Sequence, residues 1–298
     1  MFVKQYKTST DPRLRSLLQK AVRRGHSKVV ESTADHLNTI GDKTWLRSRT
    51  VVITFEECWP MAQHLSISKH FDSKLMALLQ VASATKQKDA AGLGALAYAF
   101  SEGDQTMLDF VPNLWALRIV ASALVRPSEF FEWAKEHCAS STGLQIIDVA
   151  HRYLSVATWG WDKACIIAGA FLATTVGAHE CRIVPDDKGI FPYWVALDKH
   201  TPQGKLALRK VAKEHILSYR QLLWSSFYYE SAKVNAIAES SWWIAERTWR
   251  LSRAGLSTNA AMNTWERFRT VVAEHLKPEA KELRRLVEEY GTMQERLF

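Results

Sequence analysis

No run of about 18 uninterrupted apolar residues, the length a membrane-spanning helix needs, occurs anywhere in this 298-residue chain. The longest apolar segment, ACIIAGAFLATTVGA from Ala164 to Ala178, is shorter and lies between Lys163 and His179, so it reads as a buried core helix. The N-terminal MFVKQYKTSTDPRLRSLLQK has no apolar signal core, and the expectation is a cytoplasmic protein with no membrane partner. Cysteine is sparse. Cys58, Cys138, Cys165 and Cys181 are scattered without a CxxC pair, which argues against a disulfide framework and a structural zinc site and leaves buried free thiols. His36, His64, His70, His137, His151, His179, His200, His215 and His275 show no HExxH or comparable spacing, so no metal is expected. There is no GxxxxGK(S/T) loop to cradle a nucleotide, no GxSxG elbow and no cysteine-nucleophile motif. Strand signals are nearly absent too: only TVVITFEE, Thr50 to Glu57, carries a β-branched run, and a buried helix fits it equally well.

What remains is helical, basic and rich in tryptophan. Hydrophobic residues make up 47% of the chain, which places it among globular proteins. Lys and Arg number 39 against 31 acids, a formal charge of +8, and this biases the protein toward polyanions. The 12 tryptophans can fill a core or stack on bases, and together with the charge they point to DNA as partner. Leu14, Leu17, Leu18, Ala21 and Val22 form the apolar face of a first helix capped by Asp11, opened by Pro12 and ended by Gly25. Further helices follow in SKVVESTADHLNTI, HFDSKLMALLQVASATKQ, DAAGLGALAYAFSE (small residues for close packing) and SEFFEWAKEHCA. A long helical stretch from Leu144 breaks near Gly160. Residues 182–204 hold Pro185, Gly189, Pro192, Pro202 and Gly204 and form the longest irregular stretch. Beyond it the pattern predicts helices from Lys205 to about Ala238, Ser240 to Leu251 and Asn259 to Leu276, then a charged helix after Pro278. The fold class is all-α, a compact multi-helix domain with two helical subdomains, 1–181 and 182–298, divided at the irregular stretch.

Three segments in order, LLQKAVRRGHSKVVESTADHL, WLRSRTVVITFEECWPMA and GLGALAYAFSEGD, resemble the C-terminal helical region of the RarA/MgsA family, clamp-loader-like AAA+ ATPases that act at stalled replication forks. Arg47, Arg49, Glu56 and Glu57 stand where that region has an arginine-rich segment leading into an acidic pair. The resemblance implies a helical fold and DNA metabolism, with Arg47 and Arg49 as DNA contacts. It implies no ATP hydrolysis, since the phosphate loop is missing. In that family the acidic pair sits where a helix begins, so a favourable charge–dipole placement explains Glu56 and Glu57; a catalytic role for Glu57 is the competing reading.

Asp198, Lys199, His200 and Thr201 stand side by side after the aromatic pair Tyr193-Trp194. Thr201 or Asp198 can cap the next helix, with Pro202 in its first turn. That helix carries Lys205, Arg209 and Lys213 at i, i+4 and i+8, a basic stripe suited to a phosphate backbone or to plain solvation. Downstream, Trp224 and Tyr228 share a helix face with Lys233, and Trp242 lies between Glu239 and Glu246. These aromatics are core residues or a base pocket. If Glu230 and Glu239 lie in that core, burial raises their pKa and suits them to acid–base work.

Two functions fit. The first is a DNA glycosylase, which needs no cofactor, metal or nucleotide. It flips a base into an aromatic pocket and uses a carboxylate at the sugar. Asp198 is the first choice of carboxylate, with Glu57 and Glu239 behind it. Lys199, His200, Thr201, Lys205, Arg209 and Lys213 would hold DNA, and Tyr193, Trp194, Trp224, Tyr228 and Trp242 would wall the base. A stand-alone enzyme of this size suits defence against modified phage DNA, as in Brig-type antiphage glycosylases, although no motif carries that identification. The second is a non-catalytic helical module that binds DNA or a replication partner.

Overall fold

The computed structural model describes residues 11–65, 69–178, 180–235 and 240–295, and among these every regular element beyond two isolated bridges is helical. In chain order the α-helices are α1 (Pro12–Arg24), α2 (Ser27–Thr39), α3 (Lys43–Cys58), α4 (Phe71–Ser83), α5 (Asp89–Ser101), α6 (Leu114–Val125), α7 (Pro127–His137), α8 (Ser141–Tyr153), α9 (Gly160–Thr175), α10 (Pro202–Glu214), α11 (Tyr219–Ser226), α12 (Ser241–Arg253) and α13 (Thr258–Glu295). Short 3₁₀ turns cover Trp59–His64 and Tyr193–Ala196, and a π turn, Phe227–Ser231, continues α11. None of the described helices is long and apolar enough to cross a membrane.

Local chemistry explains most boundaries. Asp11 accepts the Arg13 N–H at 2.9 Å, Pro12 pre-sets the first turn, and Gly25 closes α1 in the left-handed conformation at φ 72°. Ser140, Ser218 and Ser240 cap α8, α11 and α12 in the same way. The β-branched TVVITF run is helical, against its propensity, because α3 runs between two cores. Val51, Val52 and Phe55 face one cluster, with Trp59, Leu93, Phe131, Ile147, Ile167 and Trp249. Leu46, Ile53 and Cys58 face the other, with Leu17, Leu37, Leu78, Leu197, Val211 and Phe268. Each fully buried side chain of this kind stabilises the fold by about 1.5–3 kcal/mol, which outweighs a few tenths of unfavourable helix propensity. The small residues of α5 do pack closely: a Cβ at Gly92 would meet the Trp242 backbone, and one at Gly94 the Cys165 backbone.

Three expectations change. The stretch from Lys205 to Ala238 is not one helix. Exposed Ile216 takes the left-handed conformation at φ 54° after α10, and Ser218 restarts the chain as α11. Pro278 does not divide the last segment: α13 runs through it, and both Pro278 and Glu274, whose carbonyl loses its donor, are exposed residues. Finally, the division at 181/182 separates neither core. The first cluster joins 51–173 to Trp242, Ala245 and Trp249, and the second joins 14–84 to 191–287.

Candidate functional site

The polar face of α1 is buried along with its apolar face. Ser16, Lys20, Arg23 and Arg24 recur at i, i+4, i+7 and i+8, and all four are buried. Each cation meets a carboxylate from a different element. Lys20 Nζ donates to Asp198 Oδ2 at 2.6 Å and to Ser16 Oγ at 3.1 Å; the Lys20 and Asp198 side chains are 2% and 3% exposed. Arg23 donates to Glu57 Oε1 at 2.7 Å, to Glu56 Oε1 at 2.9 Å and to the Ser231 carbonyl at 2.7 Å. Arg24 donates to Glu230 Oε1 at 2.9 Å, and Glu230 also accepts from Trp265 at 3.0 Å and from Arg269 at 2.6 Å. Lys88, just ahead of α5, places its ammonium 3.1 Å from Glu57 Oε1 and 4.9 Å from the centre of the Trp243 ring. Arg49 joins Asp162 at 2.8 Å to this cluster through Glu56.

Glu56 and Glu57 lie at the end of α3, not at a helix start. The macrodipole there disfavours a negative charge, so the charge–dipole explanation fails and Arg23, Lys88 and Arg49 hold the pair instead. Burial pushes the Glu56 carboxyl up, but Lys88, Arg23 and Arg49 outweigh it and bring it down to about 2. Glu230 behaves likewise. Burial raises it, and the hydrogen bonds from Arg269 and Arg24 more than reverse that, so its pKa is lowered where the sequence suggested a raised one.

The turn at 197–201 faces this cluster. Thr201 is the cap of α10: its hydroxyl accepts the Gly204 N–H at 3.1 Å and donates to the Asp198 carbonyl at 3.0 Å. Gly204 has no room for a side chain, since a Cβ would collide with the Leu197 and Asp198 carbonyl oxygens. Asp198 therefore caps nothing. Its Oδ1 accepts the His200 backbone N–H at 2.9 Å, and His200 Nδ1 lies 3.1 Å from each carboxylate oxygen. Burial raises the Asp198 pKa, but Lys20 and His200 hold it well below the ordinary carboxylate range. An ionised carboxylate only accepts, so the Nδ1 facing it carries the proton and Nε2 is the basic nitrogen. The surrounding protein lowers the His200 pKa against the pull of Asp198; since the side chain stays 57% exposed, water screens that effect.

Aromatic rings wall the other side. Trp224 and Tyr228 stack at 5.8 Å, Phe227 stands edge-on to both, and Lys199 Nζ sits 3.9 Å from the centres of the Trp224 and Phe227 rings. The π turn gives this wall its directions. It inserts an extra residue after α11, so Phe227 points to His200 while Tyr228 turns inward and donates to Glu246 at 2.7 Å. Glu246 in turn binds Arg250, whose guanidinium lies over Trp249, Trp161 and Trp224.

The structure thus brings together Asp198, Lys199, His200, Trp224 and Tyr228, with Glu57 behind them through Arg23. Lys205, Arg209 and Lys213 are exposed along α10, which leads away from the turn. Other residues singled out in the sequence lie elsewhere or are committed to the fold. Thr201 is fully buried as a cap. Arg49 is held inside the charge cluster, and Arg47 is exposed near the start of α3. Tyr193 lines a separate cleft of about 680 Å³ with His26, Asp187 and Arg284. Trp194 packs on Trp265 and under Arg269. Trp242 turns into the first core, and its neighbour Trp243 takes the place beside Lys88. Glu239 lies outside the described residues. Sequence reasoning missed Lys20, Arg23, Lys88, Phe227, Trp243 and Arg250; only the i, i+4, i+7 recurrence on α1 signalled any of them. Among the described residues no group of three or more His, Cys, Asp or Glu is placed to hold a metal ion. No family model, curated protein or solved structure matches the chain.

Proposed function

We propose that this chain is a DNA-acting enzyme that hydrolyses the N-glycosidic bond of an extruded base, with His200 as general base. The observation that carries this reading is the Asp198–His200 pair. Its imidazole is open to water, touches the aromatic wall through Phe227, and stands at the foot of the basic stripe on α10. Lys205, Arg209 and Lys213 would track the phosphates, and a flipped base would displace Lys199 from the ring faces of Trp224 and Phe227. His200 Nε2 would take a proton from water attacking the sugar C1′ as the bond to the base breaks. Asp198 has no oxygen left for substrate. It is a positioning residue that fixes the Nδ1–H tautomer and stabilises the imidazolium that forms.

The test is incubation with plain and base-modified duplexes followed by alkali. Strand breaks at released bases are expected. His200→Ala should lower base release by about 10²–10⁴-fold, and Asp198→Asn by about 10²-fold or more with DNA binding retained. Binding without any alkali-sensitive site would leave the helical module that only holds DNA, and full activity in His200→Ala would remove the assigned base.

A further inference from the structure

A cleft of about 680 Å³, within the size range of small-molecule sites, opens where the first turns of α2, residues 186–193 and the later turns of α13 meet. None of its lining residues belongs to the turn at 197–201 or to the aromatic wall. Its acids are already engaged. Asp186 Oδ1 accepts the Ser27 N–H at 2.8 Å. Asp187 accepts the Gly189 N–H at 2.9 Å through Oδ1 and the Asn235 amide at 3.2 Å through Oδ2, and Oδ2 also lies 3.1 Å from His26 Nε2. Glu288 Oε1 accepts from Arg284 Nε at 2.7 Å. The donors are not engaged. Lys28 and Lys188 are exposed and make no ion pair among the described residues. Arg284 binds Glu288 through Nε, which leaves its two terminal nitrogens for a ligand. The backbone N–H groups of Lys28 and Val29 lie in the first turn of α2, where no helical carbonyl reaches them, and the His26 side chain makes no cap bond. Tyr193 is 9% exposed and stands edge-on to Phe191 at 5.5 Å, yet its hydroxyl has no hydrogen-bond partner among the described residues. The little surface it keeps faces the cleft it lines. Burial and the nearby Glu288 raise its pKa, so the hydroxyl keeps its proton and donates. A polar group this buried is normally paired, and here the acceptor has to come from the cleft.

We propose that this cleft is a second binding site, separate from His200, that takes a small phosphate monoester. The unengaged groups are all donors: one buried hydroxyl, two ammonium groups, the outer edge of a guanidinium and two backbone amides at a helix N-terminus. Together they call for an anion with several acceptor oxygens, which a phosphate supplies and a lone carboxylate does not. Tyr193 fixes the position of one oxygen, because its ring is packed and cannot swing away. Lys28, Lys188 and Arg284 are longer and close on the anion from the rim. The cleft is larger than a phosphate fills. Ile190, 83% exposed, and half-buried Val29 give the remaining space an apolar wall, which suits the organic part of an ester.

The test is isothermal titration calorimetry of the full chain with a deoxynucleoside 5′-monophosphate, glucose 6-phosphate, the two dephosphorylated compounds and inorganic phosphate. At least one ester should bind with a Kd below about 1 mM, and at least about tenfold tighter than its dephosphorylated form or inorganic phosphate. Whichever ester binds better identifies the organic part. Tyr193→Phe removes only the unpartnered hydroxyl, so it should leave Tm unchanged and weaken the ester about tenfold or more. The double change Lys28→Gln with Lys188→Gln should weaken it by a similar factor. His200→Ala should bind the ester as the wild type does, whatever becomes of base release, so this site and the glycosidic reading fail separately. Binding of neither ester, equal affinity for inorganic phosphate or a dephosphorylated compound, undiminished affinity in Tyr193→Phe, or loss of binding in His200→Ala would overturn the proposal. A lower Tm in Tyr193→Phe would overturn it as well, because the hydroxyl would then be bound within the protein.

Discussion

Asp198→Asn replaces one oxygen with an NH₂ group and keeps the side chain that accepts the His200 N–H, so the turn at 197–201 survives the change. The charge facing Lys20 does not survive. That ammonium is 2.6 Å from Asp198, 2% exposed, and left with Ser16 alone. Removing one member of a buried pair costs about 3–5 kcal/mol. The amine can also escape by releasing its proton, which costs about 1.36 kcal/mol for each pH unit below the ordinary lysine value, or about 4.6 kcal/mol at pH 7 and about 1.9 at pH 9. The sign follows from proton counting. In the folded variant Lys20 is neutral; in the unfolded chain it is protonated up to about pH 10.4. The unfolded state binds the extra proton, so the variant's stability rises with pH. In the wild type the Asp198 pKa is depressed on folding, so its contribution is complete above the ordinary carboxylate pKa and is lost only as pH falls through the lower folded value. That contribution is flat between pH 7 and 9, but burial lowers the Lys20 pKa in the wild type as well, so wild-type stability also rises with pH once Lys20 begins to lose its proton. Urea unfolding followed by circular dichroism should show a deficit of about 3–5 kcal/mol at pH 7, about 5–8 °C in Tm for a chain of this length. Because loss of Asp198 lowers the Lys20 pKa further, the deficit should shrink toward pH 9, by no more than about 2–3 kcal/mol. A variant as stable as the wild type at pH 7, or a deficit that does not change with pH, would refute the account of Lys20 and Asp198 as an interdependent buried pair.

Base release should fall on the acid side as His200 gains its proton. Burial lowers the His200 pKa, so the limb belongs below the ordinary value of about 6.5 in a kcat/KM profile, and His200→Ala should abolish it. Replacing Lys205, Arg209 and Lys213 with Gln should reduce the slope of log affinity against log salt by about 2.7, read by fluorescence anisotropy; an unchanged slope would remove the stripe from the DNA interface. The Cys58 and Cys181 sulfurs lie 3.2 Å apart among four free thiols. Treating the folded protein with diamide should consume two thiols by Ellman titration, and Cys181→Ser should leave all remaining thiols titratable.

How far the chain reveals all this depends on which forces act locally. Asp11-Pro12 with Gly25, and Thr201-Pro202, are boundaries set by neighbouring residues, and the structure has them where the sequence places them. The break at Ile216 is different: this branched residue is 95% exposed and still takes the left-handed conformation, and nothing in the local sequence requires it. The site divides in the same way. The stretch from Asp198 to His200, and the pair Trp224 and Tyr228, could be read because polar and aromatic residues crowd together without a simpler reason. Lys20, Arg23 and Arg24 had a simpler reason, since a charged stripe beside an apolar one normally faces water. On α1 it does not, because 197–201, the end of α3 and the π turn close over it. That enclosure explains why the acids come from three distant parts of the chain. A cation without a counter-charge would shed its proton or pull the helix out, so each element that covers α1 brings a carboxylate: Asp198 for Lys20, Glu57 for Arg23 and Glu230 for Arg24. Asp198 directly precedes Lys199 and His200, and Glu230 follows Phe227 and Tyr228 within the π turn. The same pairings that make the buried stripe tolerable therefore fix the turn bearing Lys199 and His200, and the π turn bearing Phe227 and Tyr228, against one rigid helix.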